Sequence, residues 1–119
     1  ILHAHAAGVD IGPLGSSENL LLPIDLSGAA TEDAPLAPID GAAEFDAAVV
    51  ETLTSGTTMD TERLLEHCER AETVAANLSG LAAGIRYTVD RGARVSTLVP
   101  AVDESVHEVR TLCGTGTWE

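Results

Sequence analysis

Apolar residues recur at alternating spacings of four and three from Leu64 through Cys68, Ala71, Ala75, Leu78, Ala82 and Ile85 to Val89. That is the period of a helix with one buried stripe, sustained for about four heptads. It predicts a single long helix over about 60–90, capped by Asp60 or Thr58. A second line, Ala76, Gly80 and Gly84, predicts close approach of a neighbouring helix. Each interior glycine costs about 1 kcal/mol against alanine, so the helix is weakest near Ser79-Gly80.

Two further stripes flank it. Phe45, Val49, Val50 and Leu53 share one helical face, which predicts a shorter helix over about 42–54. Asp40 stands at its N-cap position and Gly56 at its stop. Val102, Val106, Val109 and Cys113 also repeat at helical spacing, Pro100 suits a first turn, and Gly114 follows. These features predict a helix over 100–113, folded back on 60–90 as a helical hairpin. The fold class expected is therefore mainly α.

Residues 1–40 carry no sustained period. Gly8, Gly12, Pro13, Gly15, Pro23, Gly28, Pro35 and Pro38 punctuate them. Pro23-Ile24-Asp25 followed by Gly28-Ala29-Ala30 is echoed by Pro38-Ile39-Asp40 followed by Gly41-Ala42-Ala43. The leucines and isoleucines between the punctuation are too many for a wholly disordered tail. An extended arm laid on another surface fits them, anchored by Leu20, Leu22, Ile24, Leu26 and Ile39. Leu20–Leu26 has the make-up of a short edge strand. The domain division expected is an acidic arm, 1–40, and a small helical domain, 41–119.

Composition changes the picture in two ways. Hydrophobic residues make up 45% of the chain, but there is one Phe, one Tyr, one Trp and one Met. An alanine-rich core needs closely packed helices or a partner that supplies bulk, so the seam reads as one wall of an interface, with Leu64, Leu78 and Ile85 as contacts. The isolated chain is accordingly expected to be partly unfolded or oligomeric. Charge is the second. The formal net charge is −13, and residues 1–62 hold eleven of the nineteen acids and none of the six arginines. A nucleic-acid binder needs a cationic face to displace counterions, which excludes that class. Attraction to anionic membrane is disfavoured for the same reason. No uncharged run approaches the ~20 apolar residues of a membrane span.

Little in the sequence carries chemistry. There is no nucleophile-elbow motif and no phosphate loop with its lysine, so no enzymatic activity is expected. Cys68 and Cys113 lie on the inner stripes of the expected helical hairpin, where they form a candidate disulfide. A bridge would favour a secreted or extracytoplasmic setting; the alternative is two buried thiols acting as small hydrophobes. His3 and His5 alternate on one side of an extended segment and are the candidate ligands for a metal or haem, although a structural zinc site wants four. Asn77-Leu78-Ser79 matches a glycosylation sequon but falls inside the expected long helix. The expectation that emerges is a non-enzymatic interaction or structural subunit. It would dock its arm and hairpin onto a protein partner or a second copy of itself. The alternatives are a small metal- or haem-binding protein and an accessory subunit to an active site on another chain.

Overall fold

The computed structural model describes residues 19–29, 39–106 and 109–119, excluding the side chain of Val106. Among them are three α-helices, α1 (Ala42–Thr54), α2 (Thr61–Glu69) and α3 (Ser79–Asp90), and two strands, β1 (Val99–Val106) and β2 (Val109–Thr115). The strands pair antiparallel. The fold is therefore mixed α and β, which corrects the expected mainly α class.

Helix α1 spans the residues its stripe predicts, with Phe45, Val49, Val50 and Leu53 buried. Its N-cap differs from expectation: Gly41 takes that place in the left-handed region at φ 84°, with no side-chain cap. At α2 the Asp60 carboxylate does cap, accepting from the Arg63 N–H at 3.0 Å.

The single helix over 60–90 does not form. After α2 the chain tightens into a 3-10 turn, Ala71–Val74, and Ala75 turns left-handed at φ 56°. The arm causes this. Ser27 donates its hydroxyl to the Val74 carbonyl, and the Gly28 N–H donates to the Ala75 carbonyl at 3.3 Å. Those are the carbonyls a continuing helix would use for residues 78 and 79. The Ser79 N–H turns instead to the Asn77 side-chain oxygen, at 3.1 Å, and the Ser79 hydroxyl donates to it at 2.7 Å. Asn77 thus supports the start of α3 from the position before its N-cap, Leu78, and the sequon match lies at a helix start rather than mid-helix. Tertiary hydrogen bonds override local propensity here.

The seam residues remain largely buried in the broken form. Leu64, Ala71, Leu78, Ala82 and Ile85 are all buried, whereas Val89 is exposed. Leu64, Ala71, Leu78 and Ile85 meet α1, Leu26 of the arm and Leu112 of β2 in one core. The second wall of the seam is supplied by this same chain. The glycine line also has an unexpected neighbour. A methyl on Gly84 would lie 2.1 Å from a Leu22 methyl, and one on Gly80 would lie 2.6 Å from the Pro23 ring. The close approach is made by the arm, not by another helix.

The helix expected over 100–113 is a β-hairpin instead. β-Branched residues stand at 99, 102, 106, 109, 111 and 115, which favours strands. The register explains why the pattern misled. Val102 faces Cys113 and Val106 faces Val109 across the ladder, so four residues at helical spacing become two cross-strand pairs. Pro100 sits at an irregularity between positions 100 and 102, where its missing N–H is tolerated. The ribbon continues below the strands: Val95 bridges Trp118, and Arg94 and Glu119 exchange backbone hydrogen bonds of 2.7 and 2.9 Å. On the other edge of residues 95–97 lies Thr57–Met59.

Candidate apolar cleft

Residues 20–26 alternate in exposure with a period of two. Leu20, Leu22, Ile24 and Leu26 turn inward; Leu21, Pro23 and Asp25 turn outward. That is extended chain lying on a hydrophobic body. Asp25 pairs with Asn77 in an isolated bridge, and the Ser27 N–H donates to the Asp46 carboxylate at 3.0 Å. Between this segment and the second strand of the ribbon runs a cleft of about 820 Å³. Its volume lies in the range of ligand sites, about 300–1,000 Å³.

One wall is Leu20, Leu21, Leu22 and Ile24, and the other is residues 112–118. Leu81, Ile85 and Thr88 of α3, with Leu53 and Met59, contribute from the helical side, while Val95, Ser96 and Leu98 complete the lining. None of the twenty described lining residues carries a formal charge, in a chain of net charge −13. Two of its side-chain hydroxyls are occupied within the chain. The Thr88 hydroxyl donates to the Ile85 carbonyl at 2.7 Å, and the Ser96 hydroxyl oxygen accepts the Thr117 N–H at 2.8 Å. Trp118, the chain's only tryptophan, makes an edge contact with Tyr87 at 6.0 Å between ring centres. Arg91 stacks over that tyrosine at 4.2 Å. A smaller hollow sharing Ser96 and Thr117 brings Arg94 and Glu119 to one rim.

The main chain of both walls is incompletely paired. Among the described residues, nothing hydrogen-bonds the backbone of Leu20–Ile24. Among the described residues the sheet has two strands, and none of them places a strand on the second edge of β2. An apolar floor between two such segments can hold hydrophobic side chains while offering main-chain donors and acceptors. The described lining residues include no nucleophile–base pair and no convergent charges.

The predicted contact residues divide into two groups. Leu26, Leu64 and Leu78 are core, while Leu20, Leu22, Ile24 and Ile85 line the cleft. Ile39 is exposed and does not line it. Cys68 and Cys113 are both free thiols. Their pairing presumed a helix over 100–113; in its place Cys113 stands exposed on β2, lining the cleft, and Cys68 is half-buried on α2. Burial pushes the Cys68 thiol up, against a pull down from Arg86. His3 and His5 lie outside the described residues, and among those described no three His, Cys, Asp or Glu side chains gather as a metal would require.

Sequence reasoning missed Leu53, Met59, Leu81, Val95, Leu98, Leu112 and Trp118 as cleft residues. A signal for most of them was available. The stretches 19–24, 73–85, 95–102 and 111–118 contain no charged residue, and each contributes to the lining. The chain matches no protein-family model, no curated protein and no solved structure. No helix among the described residues is long and apolar enough to cross a membrane.

Proposed function

We propose that the chain is a non-enzymatic interaction module and that its recognition surface is the cleft between residues 20–24 and 112–118. The observation that carries this reading is the absence of charge. Nineteen acids are spread along 119 residues, yet no described residue lining the cleft is charged. A surface kept apolar in so acidic a chain is one that loses water to a partner. Docking through a helical hairpin falls with that hairpin, and the role of the arm changes. Residues 20–26 serve the chain's own fold, and what they offer a partner is the cleft wall.

The neutral dye Nile red tests the reading. One molecule per chain is expected to bind and gain fluorescence. Leu21→Asp places a carboxylate on the rim at a side chain that is 70% exposed, so it leaves the core intact. It is expected to weaken dye binding a few-fold, since it removes apolar surface from the rim and the bound dye would partly desolvate the carboxylate. Unchanged affinity in Leu21→Asp would count against the cleft as the binding surface.

A further inference from the structure

Both long walls of the cleft are extended chain, and this decides what kind of partner fits. The main-chain groups of Leu20–Ile24 have no partner among the described residues. On the other wall residues 112–115 belong to β2, whose second edge carries no strand among the described residues. A hydrocarbon ligand would cover these N–H and C=O groups without pairing them, and each buried unpaired group costs on the order of 1–3 kcal/mol. An extended peptide covers the same apolar floor and pairs them as it does so.

We propose that the cleft binds an extended segment of a partner protein, added as a third strand on the open edge of β2. The segment is uncharged and apolar where it lies in the cleft and carries basic residues on either side. This rests on the reading of the cleft as the binding surface, and it names the partner's chemistry. Strand addition gives affinity through main-chain hydrogen bonds and specificity through alternate side chains. Alternate residues of the added strand point to the floor formed by Leu81 and Ile85; the others point to solvent. The charge requirement follows from the lining and the whole chain together. No described lining residue would pair a charge inside, while a net charge of −13 attracts cationic flanks and repels acidic ones. A second copy of this chain brings the same −13 and is the poorer occupant.

The test uses the full chain and Trp118 fluorescence, which reads the cleft directly. The probes are three ten-residue peptides with uncharged cores alternating Val-Thr, Leu-Ser or Ile-Thr, each flanked by paired lysines. At least one is expected to bind at one per chain. N-methylation of alternate core amides, which removes donors but keeps the side chains, is expected to weaken it about tenfold or more. Glutamate flanks are expected to weaken it about tenfold at low salt, with the difference closing near 0.5 M. Equal binding of the N-methylated peptide overturns strand addition. If Nile red binds and no peptide does, strand addition falls and the cleft remains a binding surface; if neither binds, both readings fall.

Discussion

Asp46 and His67 are buried with one polar atom each unsatisfied, Asp46 Oδ2 and His67 Nε2. Arg70 Nη2 donates to His67 Nδ1 at 3.0 Å, and since arginine only donates, the ring is neutral with its proton on Nε2. Burial, then Arg70 and Arg63, hold His67 below its ordinary 6.5. Burial raises Asp46 above its ordinary 3.8, against opposing pulls from the Ser27 N–H and Arg110. The two residues act on stability with opposite slopes. A raised carboxylate favours folding in its protonated form, so its contribution is whole below 3.8 and is lost as pH rises through the folded value. A depressed histidine contributes fully above 6.5 and loses that contribution as pH falls through its folded value. The variants separate them. Asp46→Asn is expected to leave a thermal midpoint that drops as pH falls from about 7 to about 5, and His67→Gln one that drops as pH rises from about 4 to about 6. Parallel profiles for the wild type and both variants would contradict these assignments.

At the scale of elements, legibility depended on where each segment finds its hydrogen bonds. Helix α1 was readable because its stripe and its bonds are both local. The helix over 60–90 was not, because the arm removes carbonyls at Val74 and Ala75, and no window of 60–90 contains Ser27 or Gly28. The hairpin was misread because spacings of four and three place side chains on one helix face and, folded once, opposite each other in a ladder. Val102→Cys tells the two apart. Facing residues of a ladder bring Cα atoms to about 4.5–5.5 Å, within disulfide reach, whereas eleven residues of helix would separate them by about 16 Å. Mild oxidation is expected to join position 102 to Cys113 and leave Cys68 free; no such bridge would mean the ladder is wrong. The glycines give a second prediction. Alanine at positions 80 and 84 alone would strengthen α3 by up to about 1 kcal/mol each. Both methyls would collide with Leu22 and Pro23, and overpacking costs about 1–3 kcal/mol at each of the two sites, more than the helix gains. The Gly80→Ala/Gly84→Ala variant should therefore melt lower than wild type, with faster amide exchange at Asn77. A higher midpoint would mean the arm does not sit on α3.

For the molecule as a whole, composition gave a half-correct lesson. A chain poor in aromatics does need extra bulk, and the expectation was that a partner would supply it. The arm's Leu26 and the hairpin's Leu112 supply it from within. The strip those elements leave open is the surface proposed for a partner. It was invisible as a hydrophobic period because four separate stretches build it, each too short to show one. Its trace in the sequence is where charge is missing. The expected disulfide and the expected helical hairpin were one inference, and the thiols part company once the hairpin becomes a ribbon. Recognition through the charge-free cleft is the central claim, and amide chemical shifts of the labelled full chain, recorded during titration with the lysine-flanked peptides, test it most directly. Shifts are predicted at 20–24, 81–88, 95–98 and 112–118, with α1 before Leu53 and all of α2 unmoved. Shifts centred on the outer faces of α1 or α2, or none at saturating peptide, would contradict it.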